Sequence, residues 1–286
     1  MDFDRRVFVN GLAAAASLGG GAALGAERSR RAPFTAKRLD ASIRTVGAPG
    51  GLACVRATQS TEGPFYYETS LQRKSIAEKR PGVPLRLGIT LGGLSMDPRD
   101  PARETGRCYP LAGVVVDIWH ADAAGLYSNV GTDLQPVDTL GQTFMRGHQV
   151  TDQNGYVEFD TIVPGWEIVA AVPGVPGAPP VVPFLRTTHI HVKAFYDREV
   201  MTTQLFFEDS LLDQIFAEVE PYKSHQVLTV PRLDRPVSRI RNTEDFVFKA
   251  TKAQPMAVER VDGVLVAKAT LGVLSMGDRG FRTLFR

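Results

Sequence analysis

The tripeptide His189-Ile190-His191 carries the sharpest chemical signal in this 286-residue sequence. Side chains at i and i+2 leave a β-strand on the same face, so both imidazoles would project together while Ile190 turns to the opposite face. That arrangement suits two cis ligands on one metal ion. Two half-exposed histidines without chemistry fit the same spacing, so the pair does not decide the matter alone. Of the other three histidines, His120 and His148 lie in strand-like segments and read as structural, and His225, after a helix, reads as solvated.

The elements that must position this pair are mostly strands. Residues 188–195 alternate. Leu85, Leu87, Ile89 and Leu91 alternate with Arg86, Gly88 and Thr90, and Val114, Val116 and Ile118 recur at the same spacing of two. Asp152-Gln153-Asn154-Gly155 reads as a turn joining 148–151 to 156–161 in a hairpin, with Val157 and Phe159 facing one way and Glu158 and Asp160 the other. Val264 and Val266 mark a last strand. One helix is expected: Ser210 and Asp213 have capping-box spacing, Leu211, Leu212, Ile215, Phe216 and Val219 form its apolar stripe, and Pro221 stops it. With no internal repeat and no second core, the expected architecture is mostly β: a single antiparallel β-sandwich domain with long loops and one short helix.

Composition narrows the function classes. The chain is 43% hydrophobic and 22% charged, with 27 Gly and 19 Pro, which is globular and turn-rich. A formal net charge of +2, with no basic block beyond the first forty residues, lacks the footprint of a nucleic-acid binder. Arg5 and Arg6 precede an uncharged, Ala- and Gly-rich run that ends at Ala23, Gly25 and Ala26, which predicts a twin-arginine export signal over 1–26. That run is too short and too diluted by glycine for a stable membrane anchor, which needs ~20 strongly apolar residues. A basic linker or arm over 27–52 and a folded domain over 53–286 follow. In an oxidising compartment Cys54 and Cys108 are expected to bridge, contributing on the order of 4 kcal/mol.

Further motifs stand around the histidine pair in order. They are Thr61-Glu62-Gly63-Pro64-Phe65-Tyr66-Tyr67, Asp117-Ile118-Trp119-His120-Ala121-Asp122-Ala123-Ala124-Gly125-Leu126-Tyr127-Ser128, Phe144-Met145-Arg146-Gly147, Thr151-Asp152-Gln153-Asn154-Gly155, Pro164-Gly165-Trp166, Arg186, Gln204-Leu205-Phe206-Phe207 and Arg241-Asn242-Thr243. Over residues 53–275 this series resembles the intradiol ring-cleavage dioxygenases, the protocatechuate and catechol dioxygenase family.

The resemblance implies a non-haem Fe(3+) held by two tyrosinates and two histidines, with a catecholic small molecule and O2 as substrates and a muconate-type diacid as product. Hard phenolates favour ferric iron. Tyr127 matches the first tyrosine ligand, and His189 and His191 match the two histidines. Arg186 matches the arginine that stabilises charge on the reacting ring, and Gln204 matches a glutamine of the pocket. The departure is Glu167, which stands where the second tyrosine would follow Pro-Gly-Trp, ahead of an insertion over 168–185. Glutamate is still a hard anionic donor and a proton acceptor, so Glu167 is expected both as a metal ligand and as a base. Tyr66, Tyr67 and Tyr156 are poorer candidates for a replacement phenolate.

Two other classes stay open on the sequence: a non-catalytic aromatic-binding sandwich, and a zinc hydrolase built from His189, His191 and Glu167 with one open position. Tyr127 argues against zinc, for which tyrosine is a poor ligand. An oligomer is compatible with all three.

Overall fold

The alternation at Leu85, Leu87, Ile89 and Leu91 becomes the spine of the fold in a computed structural model that describes residues 55–97, 99–132, 134–169, 184–196, 199–228 and 236–274. The export signal over 1–26, the linker over 27–52 and Cys54 lie outside the described residues. The strands are β1 (Val55–Arg56), β2 (Pro84–Asp97), β3 (Asp100–Pro110), β4 (Val115–Trp119), β5 (Arg146–Val150), β6 (Tyr156–Ile162) and β7 (Glu167–Val169). After these come β8 (Phe184–Arg186), β9 (His189–Tyr196), β10 (Glu199–Phe206), β11 (Val227–Leu228), β12 (Val237–Ser238), β13 (Ala257–Val261) and β14 (Val264–Leu274).

A six-stranded sheet runs β1-β14-β2-β3, with β13 on β14 and β6 on β2, and a four-stranded sheet runs β10-β9-β4-β5. Most pairings are antiparallel, but β14 lies parallel to both β2 and β1. Leu85, Leu87, Ile89, Phe159 and Ala267 from the first sheet share one buried core with Val116, Ile118, Ile190, Val192 and Leu205 from the second. Burying these faces together is what holds the two layers face to face. The protein is therefore mostly β and sandwich-like, as the alternation predicts.

Four local expectations change. The turn at Asp152-Gln153-Asn154-Gly155 forms, with the Asp152 carboxylate accepting from the Asn154 and Tyr156 amides, but it does not close a hairpin. Strand β5 pairs with β4 in one sheet and β6 with β2 in the other, so the turn carries the chain from one layer to the next. Gly155, at φ +72°, seats its backbone against β2: its carbonyl accepts from the Leu91 amide at 2.8 Å, and a Cβ would lie 2.4 Å from the Leu91 carbonyl. Competition from that third strand is what separates β5 from β6.

There are also two α-helices among the described residues, not one: α1 (Asp209–Glu218), buried through Leu212, Ile215 and Phe216, and α2 (Phe246–Thr251). The capping box at Ser210 and Asp213 is absent. Glu208 stands at the N-cap without a side-chain bond, Ser210 is inside the helix, and Asp213 is taken by Arg239 and Arg241. Finally, His225 is half-buried, with its Nδ1 on the Pro221 carbonyl at 2.9 Å, and is not free in solvent. Among the described residues no helix is long and apolar enough to cross a membrane.

Candidate metal centre

Strand β9 buries both of its faces. Ile190 and Val192 enter the core between the sheets, while His189 and His191 lie on the opposite face beneath the loops that cover the four-stranded sheet. Register sets a row across that face: Arg146 on β5 opposes Trp119 on β4, Trp119 opposes His191, and His191 opposes Gln204 on β10. Trp119 stacks on the His191 ring at 4.7 Å and holds its plane. His189 donates from Nδ1 to the Thr187 carbonyl at 2.7 Å, which leaves its Nε2 as the lone-pair atom. The two Nε2 atoms face each other 2.9 Å apart.

Glu167 reaches the same place from the short ribbon at the base of the insertion. Strands β7 and β8 pair so that Glu167 opposes Arg186, and Glu167 Oε1 lies 3.7 Å from His189 Nε2 in a residue only 4% exposed. The carboxylate therefore points inward to the histidines and not to solvent from a remodelled loop. Residues 170–183 of the insertion lie outside the described residues.

Tyr127 comes from the long loop after β4. The Asp122 carboxylate accepts from the Ala124 and Leu126 amides and bends the loop, while Gln135 and Thr139 hold both backbone polar groups of Tyr127. Its ring stacks on Phe65 at 4.3 Å beside Val130. Gly125 makes the loop possible: at φ +76° it abuts the Trp166 carbonyl, which a Cβ would meet at 2.3 Å. Gly125→Ala is expected to cost roughly 3 kcal/mol in chemical denaturation, from left-handed strain plus overpacking. It should also lower metal occupancy, because the displaced peptide carries Glu167.

Four donor side chains, Tyr127, Glu167, His189 and His191, thus converge at one buried point. The Tyr127 hydroxyl and His191 Nδ1 are buried without hydrogen-bond partners. Burial first, then the neighbouring Glu167 charge, pushes the Tyr127 phenol far above its ordinary range. Burial lifts Glu167 to about 7 against the pull of Arg186, and it presses both imidazoles below their usual range. These groups share one frustration: burial disfavours the charged form of the phenol, the carboxyl and both imidazoles alike. A cation resolves that frustration, and the mixed phenolate, carboxylate and imidazole set fits a hard, highly charged one. Among the described residues no three His, Cys, Asp or Glu side chains form a metal-binding group by themselves.

Known proteins resemble this chain in both sequence and fold. A chlorocatechol 1,2-dioxygenase from Rhodococcus opacus is 30% identical over 196 residues, 62% of this chain and 66% of that relative. One from Pseudomonas putida is 35% identical over 108 residues, 34% of this chain and 36% of that relative. This chain thus spans just under two thirds of the length of the first curated relative and about a third of the second. An intradiol ring-cleavage dioxygenase from Tetranychus urticae superposes with a TM-score of 0.55 at 27% identity, covering 77% of this chain and 95% of that one. A family model described as Dioxygenase matches residues 61–229, more than half of the chain. The chain belongs to the intradiol ring-cleavage dioxygenase family.

The arginine and glutamine singled out in the sequence stand beside these donors, Arg186 opposite Glu167 and Gln204 opposite His191. Arg186 is buried and donates from one terminal nitrogen to Gln204 Oε1 at 2.6 Å, and Gln204 in turn donates to the Thr61 carbonyl at 3.0 Å. The three tyrosines considered as a replacement phenolate are occupied elsewhere. Tyr66 packs on Trp119 with its hydroxyl on Asp117, Tyr67 lies under the Arg146 guanidinium, and Tyr156 bonds Glu158 on the other sheet. His120 is structural, donating to the Ala121 carbonyl and accepting from Thr161, and His148 lies on β5 opposite Asp117.

Burial lowers His120 to about 4 from 6.5. The unfolded chain therefore takes up its proton first, and stability should fall by about 3 kcal/mol as pH drops from 6.5 to 4. Denaturant midpoints across that window, with a shallower slope in His120→Gln, check this.

Two residues of the site were not singled out in the sequence. Arg146 is fully buried and clamps Ser128, next to Tyr127, through its Nε and a terminal nitrogen. Asp245 grips Arg186 through Nε at 2.8 Å. Arg146 lay within a motif that was quoted, and Asp245 follows Arg241-Asn242-Thr243 by two residues, but neither has a local signal that reveals its partner.

Proposed function

We propose that this protein is a non-haem Fe(3+) intradiol dioxygenase that cleaves a catecholic ring with O2 to a muconate-type diacid. The observation that carries the reading is the convergence of the Tyr127 hydroxyl, the Glu167 carboxylate and two imidazole nitrogens 2.9 Å apart, beside a buried arginine. Tyr127, Glu167, His189 and His191 would hold the iron. Bound there, Fe(3+) would chelate the deprotonated catechol and draw electron density from it, opening the ring carbons to O2. The bond between the two hydroxyl-bearing carbons breaks and both atoms of O2 enter the product.

The chain's own residues do the rest. Glu167 receives a catechol hydroxyl proton, as the second tyrosine would in its relatives. Arg186 offers fixed positive charge where negative charge develops on the ring, which costs no reorganisation at the moment of reaction. Gln204 keeps that guanidinium in place, and Phe65, Val130 and Trp119 form a buried apolar cluster around Tyr127. Metal analysis, a visible spectrum and oxygen uptake on catechols test the proposal. One iron per chain, a red-brown colour and a diacid labelled from O2 are expected. Bound zinc in place of iron, a yellow extradiol semialdehyde, or no oxygen uptake by iron-loaded protein would overturn it.

We also propose export through the twin-arginine route, with removal of 1–26 and a Cys54–Cys108 bridge in the mature protein. Cys108 is buried on β3, and no free thiol occurs among the described residues. Periplasmic protein should resist alkylation until it is reduced, and intact mass reads this directly. Two reactive thiols without reduction would refute the bridge.

A further inference from the structure

The Asp245 carboxylate is fully buried and ties two elements together through its two oxygens. Oδ1 accepts from the Val247 and Phe248 amides, at 2.8 and 3.0 Å, and so caps α2, and it also takes a longer bond of 3.4 Å from the Arg186 terminal nitrogen that holds Gln204. Oδ2 accepts from Arg186 Nε at 2.8 Å and from the Thr187 amide at 3.0 Å. The Thr187 carbonyl then holds His189 Nδ1, and its hydroxyl donates to Asn242 at 3.2 Å. A C-terminal segment beyond the stretch matched by the family model is thereby joined through one side chain to both the arginine and a histidine of the site.

An ionised carboxylate buried this deeply must be repaid by charge-assisted bonds, and here five donor nitrogens surround it. Arg186 has a second restraint in Gln204, but only Asp245 sets the direction of Nε. A guanidinium held by one terminal nitrogen alone can swing about that bond, whereas a grip on Nε together with Gln204 on the terminal nitrogen fixes its plane.

We propose that Asp245 is a positioning residue for ring cleavage, aligning Arg186 on the reacting ring by anchoring it to the N-terminus of α2. This rests on the functional reading above. Asn at this position discriminates well. It still caps a helix, but with its oxygen turned to α2 its amide group faces Arg186 Nε and the Thr187 amide, donor against donor.

The test is a double-mutant cycle on the iron-loaded protein with Asp245→Asn, Arg186→Ala and the pair. Asp245→Asn should lower kcat roughly 10- to 100-fold, with KM changed by less than about threefold and iron content unchanged. In the Arg186→Ala background the same substitution should cost less than about threefold. Losses that multiply across the cycle would overturn the proposal. Val247→Ala loosens α2 while leaving the Asp245 bonds in place, so it separates helix stability from alignment: kcat should stay within about threefold of wild type. A loss matching that of Asp245→Asn would assign the effect to folding.

Exchange of the Arg186 Nε–H with solvent, read by NMR in metal-free protein, is independent of turnover. Slow exchange in wild type and fast exchange in Asp245→Asn are expected, and equal rates overturn the proposal whatever the activity. If wild type exchanges slowly yet cleaves no catechol when iron-loaded, it is the functional reading that fails.

Discussion

Tyr127→Phe should leave a protein at least as stable as wild type and nearly without activity. The substitution keeps the ring that stacks on Phe65 at 4.3 Å and removes a buried hydroxyl that has no hydrogen-bond partner. Deleting an unsatisfied polar atom from a dry site relieves desolvation on the order of 1 kcal/mol, so the unfolding midpoint of metal-free protein should hold or rise. Activity should move the other way. Even the outer partners of metal ligands are worth 10- to 100-fold in affinity or rate, and a ligand is worth more, so turnover should fall by about 100-fold or beyond. Visible absorbance from phenolate-to-iron charge transfer should bleach, and iron per chain should drop. Unchanged colour and iron content would remove Tyr127 from the centre, and a destabilised protein with normal iron would make it a packing residue.

Glu167→Gln should weaken iron binding and turnover on a similar scale, because it replaces an anionic donor and proton acceptor with a neutral amide of the same shape. Its effect on metal-free protein has the opposite sign and depends on pH. Burial raises the Glu167 carboxyl from 4.5 to about 7, so the folded state holds that proton more tightly than the unfolded chain does. The stability linked to it is complete below 4.5 and is lost as pH rises through about 7. At pH 8 the Gln variant, which has no charge to desolvate, should exceed wild type by roughly 3 kcal/mol, and at pH 4 the two should match. Denaturant titrations at both pH values measure the difference. Equal stability at the two values would mean that the carboxylate is solvated. Glu167→Tyr asks the question from the metal's side: a second tyrosinate charge-transfer band places this backbone within reach of the iron, and a single band excludes it.

Much of this was legible locally. A period of two is a property of the strand itself, so the buried faces of β2, β4 and β9 and the shared face of His189 and His191 could be read before any fold was known. The composition of α1 likewise announced a helix, since its apolar stripe needs no partner to be recognised. Turn chemistry is local as well, and the turn at 152–155 is present. Which strands flank a turn as partners is not local: β5 and β6 satisfy their backbone bonds in different sheets because β4 and β2 compete for them. The same holds for β14, whose parallel seat on β2 depends on a strand far back in the chain.

The centre divides in the same way. The spacing of the two histidines is encoded within one strand, whereas Glu167 faces them only because β7 pairs with β8 across the insertion and sets it opposite Arg186. Asp213 lost its capping role to Arg239 and Arg241, which arrive from a later segment. Asp245 lies 59 residues beyond Arg186 and carries no pattern that ties the two together. Side-chain direction along a strand follows from backbone geometry, but a buried ion pair is chosen by whichever charges the packed chain leaves without water, and only the tertiary structure decides which those are.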